Sequence, residues 1–319
     1  MVKNIAFALA GLAGFNAHGA GFLTAASHLH VTPDLVTASS GQIIVLAEWL
    51  RGTDLKNLLV GQSSRTGKFS ALKVALTGLP GVFMPATVEY WRRWQSLPNS
   101  PETLSAHLLP AQVYVPTRSK AYVSGIASIL NAATLGGSSV GVVFNAYDPV
   151  RGEGILFGNR TAMQLLPNVN LLPITQKAVE AALWLSLYGF ENLPNGLMDG
   201  AYHRPCVIAE LHRFDRIFAV RPLAHGWHGE KPASWFDVQD WQCEMWFTVG
   251  YDAEVADIKR INRLIECGAL TDARYRKVDL REVLTKHPCG YFNYFSERPE
   301  VFQAAYDEAM KKLQEHDGP

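Results

Sequence analysis

The first fifty residues contain one pattern twice: a short apolar run, a turn of small residues, and an apolar helix. The first run covers residues 3–9, and a helical pattern over residues 22–30 follows its glycine-rich turn. The second run covers residues 34–37, and a helix is predicted over 43–50. Short apolar runs bounded by turn residues are typical of strands buried on both faces. Two such units predict a mostly parallel sheet covered by helices.

Later segments extend the same architecture. Strands are predicted over residues 140–147 and 216–220, and helices over 177–188, 206–211 and 299–313. Neither a repeat nor a linker divides the chain, so we expect one α/β domain over residues 1–319. Six prolines between residues 80 and 116 indicate an irregular insertion, and we expect a cap or rim at about 80–120.

Composition excludes some classes of function. The 319 residues include 29 Lys and Arg and 29 Asp and Glu, so net charge gives no argument for a nucleic-acid partner. The cysteines are widely spaced, which favours free thiols in a reducing compartment; they are Cys206, Cys243, Cys267 and Cys289. A single lysine precedes the first apolar run, which favours a buried strand over a signal peptide. We expect a cytoplasmic protein, with at most peripheral membrane contact, and neither metal nor cofactor.

The segment Thr37-Ala38-Ser39-Ser40-Gly41, between a strand and a helix, is similar to the nucleophile elbow G-x-S-x-G. Such an elbow holds a serine on a strained turn, and its flanking residues are small because they lie close together. Gly41 meets this requirement, whereas Thr37 is β-branched. Only Ser39 lies two residues before Gly41, so Ser39 rather than Ser40 is the predicted nucleophile. An ordinary Ser-Ser-Gly turn is the alternative.

Two further turns carry candidate residues. The turn from Gly11 to Gly14 follows the first strand, and its backbone N–H groups suit an oxyanion, a phosphate or simply close helix packing. The turn Asp199-Gly200-Ala201 lies far downstream. An Asp-Gly turn is common in proteins and alone indicates no function.

In order and spacing, these three sites resemble the patatin-like phospholipases, which combine a turn G-G-G-x-[RK]-G, a G-x-S-x-G serine and a D-G-[GA] aspartate. Other stretches resemble the family's segments around these motifs: Ala20-Gly21-Phe22-Leu23, Val143 to Asp148 with Arg151-Gly152-Glu153 and Ile155 to Phe157, Val179 to Tyr188 with Ser186, and Arg216 to Val220. The resemblance covers about residues 3–222. Leu12, Ala13, Phe15, Asn16 and Thr37 depart from the pattern.

The resemblance implies a three-layer α/β/α fold and a serine hydrolase of acyl lipid esters. Ser39 would be the nucleophile and Asp199 its base, within hydrogen-bond reach of each other. The oxyanion hole would use N–H groups of Gly11, Leu12, Ala13, Gly14 and Ser40, and Thr37, Gly41 and Gly200 would shape the elbow and the aspartate turn. No catalytic histidine is implied, so His18 and His203 are expected to be packed or exposed. Thr37 would crowd a working elbow, so Thr37→Gly would raise kcat.

Two alternatives remain open. Trp91 and Trp94, with Tyr90, Arg92 and Arg93, suit either a lipid interface or a cap helix with buried tryptophans. The altered motifs also allow a catalytically inactive patatin-fold protein that binds lipid or a partner. A dinucleotide-binding domain is disfavoured, because its second strand would end in an acidic residue and this one ends in Thr37-Ala38-Ser39-Ser40.

Overall fold

The computed structural model describes residues 4–11, 17–62, 76–79, 81–87, 92, 95, 104, 112–221, 231–233, 235–272, 275–285 and 299–315. Its helices are α1 (Ala17–His28), α2 (Gln42–Leu50), α3 (Leu55–Gln62), α4 (Lys120–Asn131), α5 (Arg160–Leu165), α6 (Gln176–Ala182), α7 (Trp235–Glu266) and α8 (Pro299–Gln314). Its strands are β1 (Ile5–Leu9), β2 (Leu35–Ala38), β3 (Phe83–Pro85), β4 (Tyr114–Pro116), β5 (Thr134–Leu135), β6 (Ser138–Ser139), β7 (Gly141–Asp148), β8 (Glu153–Gly158), β9 (Leu171–Pro173), β10 (Met198–Asp199), β11 (Arg216–Arg221) and β12 (Asp279–Leu284).

The main sheet is mostly parallel and has the strand order β12-β11-β1-β2-β7-β8-β9. The pairs from β12 to β7 are all parallel, whereas β8 forms an antiparallel hairpin with β7. The short strand β10 also pairs with β7 in antiparallel fashion. The parallel strands β1, β2 and β11 therefore bring their carboxyl ends to one edge of the sheet, where ligand sites of such folds lie.

The two faces of the sheet bury two separate cores. In β1, Phe7 and Leu9 pack with residues of α1, α2, α4, α6 and α8, whereas Ala6 and Ala8 pack with residues of α5 and α7. Alternate residues of a strand point to opposite faces, so helices cover the sheet on both sides. The architecture is three-layer α/β/α, which confirms the predicted fold class.

Most of the predicted elements are present, with shifted ends. The helix predicted over 22–30 begins at Ala17, and the one predicted over 177–188 ends at Ala182. The predicted helix over 206–211 is wrong, since that stretch contains only a 3-10 turn at Ala209–Leu211. The long helix α7 and the strand β12 had no counterpart in the sequence prediction. None of the helices in the described part of the chain is long and apolar enough to cross a membrane.

Helices α1 and α8 approach closely at Gly21. A Cβ atom added there would lie 2.3 Å from the Phe302 carbonyl oxygen and 3.0 Å from the Tyr306 nitrogen. Both of these are backbone atoms of α8, so neither can rotate away. Helix packing therefore requires glycine at position 21. The close contact holds α8 against α1, the helix that follows β1.

We predict that Gly21→Ala lowers the free energy of unfolding by about 1–3 kcal/mol, because overpacking forces the helix backbones apart. Gly125→Ala is the matched control: its Cβ would have only the end of the Arg51 side chain nearby, at 3.4 Å. Since alanine favours helix over glycine, that control should be neutral or stabilising by up to about 1 kcal/mol. Urea denaturation measures both, and equal effects of the two substitutions would contradict the proposed contact.

Candidate active site

The turn between β2 and α2 is centred on Ser40. Ser40 has φ of 53°, in the left-handed region that non-glycine residues adopt only where the surroundings enforce it. The turn is closed by a 3.1 Å hydrogen bond from the Gln42 N–H to the Ser39 carbonyl oxygen. A strained residue between a buried strand and a helix is the geometry of a nucleophile elbow.

The Ser40 hydroxyl donates a hydrogen bond to Asp199 Oδ2 over 2.5 Å. Both side chains are buried, each with 2% of its surface exposed. Asp199 Oδ1 accepts a second hydrogen bond, from the Ala201 N–H at 2.9 Å. The structure thus brings together a serine and an aspartate that are 159 residues apart in sequence.

The predicted partner of Asp199 is wrong by one residue. The Ser39 hydroxyl is buried and has no hydrogen-bond partner among the described residues. Its backbone N–H donates to the Leu9 carbonyl oxygen over 3.2 Å, which continues the ladder between β1 and β2. Ser39 therefore still follows the extended path of β2, and the chain turns only at Ser40. The positions two residues before and after the strained serine are consequently Ala38 and Gln42, of which only Ala38 is small.

Burial controls the protonation of Asp199. Removal from water raises the pKa of its carboxyl group from 3.8 to about 7. The hydrogen bonds from Ser40 and Ala201 and the positive charge of Arg118 oppose this rise without cancelling it. A carboxyl group with a pKa near neutral pH is well suited to accept and return a proton.

The position of Asp199 depends on the turn that follows it. Asp199 pairs with Ala146 of β7, and its N–H donates to the Trp184 carbonyl oxygen over 3.1 Å. At Gly200, a Cβ atom would lie 2.5 Å from the Asn145 carbonyl carbon. Glycine is therefore required sterically in the Asp-Gly turn, because the turn lies directly against β7.

Thr37 has a different role from the one predicted. Its buried hydroxyl donates a 2.7 Å hydrogen bond to the Val207 carbonyl oxygen, in the loop that follows Asp199. The Gly11 N–H likewise donates to the Pro205 carbonyl oxygen over 2.8 Å, and Asn145 Nδ2 donates to the Arg204 carbonyl oxygen over 2.8 Å. The loop after Asp199 is thus held against the ends of β1, β2 and β7.

An ion cluster holds the other side of this loop. The guanidinium group of Arg204 pairs with Glu210 at 2.7 Å and with Glu254 of α7 at 2.5 Å. Glu254 also accepts hydrogen bonds from the Ile208 and Ala209 N–H groups. This cluster was not predicted from the sequence, where Arg204 and Glu254 are separated by 50 residues. It connects α7 to the loop that carries Asp199.

The predicted oxyanion donors have different outcomes. Gly11 is excluded as a donor because its N–H is already bound to Pro205, although the residue touches the elbow: a Cβ there would lie 2.7 Å from the Ser40 Cβ. Leu12, Ala13 and Gly14, with Phe15 and Asn16, lie outside the described residues.

If Ser40 provides the nucleophilic hydroxyl, the backbone N–H of the next residue is that of Gly41. Among the described residues this N–H has no acceptor, and it lies at the start of α2.

Neither histidine considered in the sequence bonds to the serine or the aspartate. Burial lowers the pKa of His18 to about 4, so its ring is neutral at pH 7. Its Nε2 lies 2.8 Å from the Ala10 carbonyl oxygen and 2.9 Å from Gln42 Nε2, between the end of β1 and the start of α2. His203 is exposed and stacks on Tyr147. Both are packed or exposed, as predicted.

Most of the predicted cap at residues 80–120, including Trp91 and Trp94, lies outside the described residues. Its two ends are described as the antiparallel pair β3 and β4. Phe83 and Tyr114 from these strands pack in one cluster with Trp184 and Met198. The ends of the insertion therefore lie beside the strand that carries Asp199, while the lipid-interface role of the tryptophans remains a prediction.

Comparison with known proteins gives a remote likeness. No known family and no curated protein matches the sequence. Among solved structures, VipD from Legionella pneumophila is similar, with a TM-score of 0.39 and 10% sequence identity over 98% of this chain and 67% of that chain. A TM-score this low carries no functional argument.

We predict that Thr37→Val destabilises the protein by about 1–3 kcal/mol, because the buried Val207 carbonyl loses its hydrogen bond. Thr37→Ser keeps the hydroxyl and is the control. Thr37→Gly should likewise destabilise the Asp199 loop and lower any activity, which reverses the expectation from the sequence. Thermal unfolding and ester hydrolysis measure these effects, and a Thr37→Val protein as stable as Thr37→Ser would contradict this role.

Proposed function

We propose that this protein is a serine hydrolase of carboxylic esters, with Ser40 as nucleophile and Asp199 as base. The observation that carries the proposal is the buried hydrogen bond between these two side chains at a left-handed elbow. A mere Ser-Ser-Gly turn needs neither a strained backbone at its second serine nor an aspartate facing that serine from another part of the sheet.

In the first half of the reaction, the Ser40 oxygen attacks the ester carbonyl carbon and its proton moves to Asp199 Oδ2. The carbonyl oxygen becomes negatively charged, and the Gly41 N–H at the start of α2 stabilises it. When the C–O bond breaks, Asp199 returns the proton to the leaving alcohol. Ser40 then carries the acyl group as an ester.

In the second half, Asp199 takes a proton from water while the water oxygen attacks the acyl carbon. The bond to Ser40 breaks, and the proton on Asp199 passes back to the Ser40 oxygen. The fatty acid leaves, and the hydrogen-bonded pair is restored. The raised pKa of Asp199, about 7, supports this role because a carboxylate with an ordinary pKa is a much weaker base.

The substrate class we propose is an acyl lipid, a phospholipid or another fatty acyl ester, as the resemblance to patatin-like phospholipases implies. The retained residues that support it are Asp199-Gly200-Ala201 and the hairpin around Gly152-Glu153. Contact with a membrane surface and a cytoplasmic location belong to the same proposal.

We predict that an active-site fluorophosphonate labels the wild-type protein and Ser39→Ala but not Ser40→Ala. Ser39→Ala removes a buried hydroxyl without a described partner, so it should keep activity and be as stable as the wild type or more stable. Gel fluorescence measures the labelling, and hydrolysis of p-nitrophenyl butyrate measures the esterase activity. Labelling of Ser40→Ala with loss in Ser39→Ala would return the nucleophile to Ser39. Absence of label in all three would favour the inactive lipid-binding alternative.

We predict that kcat/KM for a short-chain ester rises with pH through an apparent pKa near 7, because Asp199 must be ionised to accept the Ser40 proton. Rates from pH 5 to 9 measure this dependence. A profile that is flat across pH 7, or a midpoint near pH 4, would contradict burial of the base.

The same group should affect stability. Between pH 3.8 and about 7 the folded protein keeps the Asp199 proton that the unfolded chain releases, so stability falls as pH rises through this window. Asp199→Asn removes the ionisation while keeping the shape of the side chain. Its stability advantage over the wild type should grow between pH 4 and 7, as urea denaturation at each pH would show.

A further inference from the structure

A cavity of about 150 Å³ lies beside Asp199, between the residues around the start of α4 and those of α6. Its lining includes Trp184, whose carbonyl oxygen accepts the hydrogen bond from the Asp199 N–H. Tyr188 lies on the same wall. Trp184 therefore links the wall of the cavity to the backbone of the aspartate.

The cavity is lined by two cationic groups and one anionic group. Arg118 precedes α4 and Lys120 is the first residue of that helix, whereas Glu180 lies in α6. Arg118 is half-buried and hydrogen-bonds the Tyr188 hydroxyl, but among the described residues it forms no salt bridge with a carboxylate. Because a half-buried guanidinium group without a fixed counter-ion attracts anions, this charge is available to a ligand.

Arg118 also acts on the site itself. Its positive charge opposes the burial that raises the pKa of Asp199, and it opposes the rise in the pKa of the Tyr188 hydroxyl in the same way. The guanidinium group is therefore close enough to both residues to affect their ionisation.

We propose that this cavity binds an anionic group of the substrate, a phosphate or a carboxylate, and that Arg118 makes the protein prefer anionic acyl esters to neutral ones. The proposal rests on the function proposed above and adds a specificity residue to it. Lys120 contributes a second positive charge at the exposed side, and Glu180 opposes the anion. Arg118 is a binding residue and takes no part in proton transfer.

The first test measures binding without catalysis, in the Ser40→Ala protein. Dihexanoyl phosphatidate, kept below its micellar concentration, is compared with dihexanoylglycerol by calorimetry. We expect the anionic lipid to bind more tightly by on the order of tenfold, since a hydrogen bond to a charged group contributes that much. Adding Arg118→Gln should abolish the difference, Arg118→Lys should keep part of it, and Arg160→Gln, at an exposed position in α5, should leave it unchanged.

Competition separates the sources of the anion. If inorganic phosphate displaces the phosphatidate, the cavity recognises the phosphate group alone; if it does not, the cavity recognises the phosphate only as part of the lipid. Both outcomes support the proposal. Equal binding of the two lipids, or a preference that survives Arg118→Gln, overturns it.

The second test compares kcat/KM for p-nitrophenyl hemisuccinate, which carries a carboxylate, with that for neutral p-nitrophenyl butyrate. The ratio removes any change that affects both esters, including a shift in the pKa of Asp199. Arg118→Gln should lower the ratio on the order of tenfold, and Glu180→Gln should raise it, because a negative charge leaves the wall. A ratio unchanged by Arg118→Gln, or lowered by Glu180→Gln, overturns the proposal for carboxylates. If neither ester is hydrolysed while phosphatidate binding still depends on Arg118, the proposed function fails and the anion site stands.

Discussion

The hydrogen bond between Ser40 and Asp199 is the interaction on which the rest of the site depends. It joins the end of β2 to the short strand β10, and both side chains are buried at the carboxyl edge of a parallel sheet. The contact requires Ser40 to adopt a left-handed backbone, which costs roughly 1–3 kcal/mol. The packed strand before Ser40 and the packed helix after it hold that conformation. Desolvation, in turn, brings the pKa of Asp199 close to neutral.

The loop after Asp199 is held by contacts that the sequence analysis did not predict. The Thr37 hydroxyl and the Gly11 N–H bind its carbonyl groups from the sheet side, and the pairing of Arg204 with Glu254 holds it from α7. Thr37 thereby changes from an apparent defect of the elbow into a support for the aspartate.

Local patterns were sufficient to predict the strands β1, β2 and β11 and the helix α2, because buried parallel strands and glycine turns leave clear signals in sequence. Asp199 was singled out only by the resemblance to a family motif, since an Asp-Gly turn alone indicates no function. Local patterns were insufficient to choose between Ser39 and Ser40. That choice depends on how far β2 continues its ladder with β1, and the deciding bond, from the Ser39 N–H to the Leu9 carbonyl oxygen, joins residues far apart in the chain. The helix α7 was missed because exposed apolar residues such as Trp246 and Val249 stand between its buried positions, which obscures the stripe in the sequence. The buried positions include Phe247, Tyr251, Val255 and Ile258.

A crystal structure of the protein after reaction with a fluorophosphonate tests the central claim most directly. We expect the phosphorus bonded to Ser40 Oγ, the phosphoryl oxygen facing the Gly41 N–H, and Asp199 within hydrogen-bond distance of the Ser40 oxygen. The Ser39 side chain should remain buried and unmodified. A phosphonate bonded to Ser39, or an unmodified Ser40 separated from Asp199, would contradict the account.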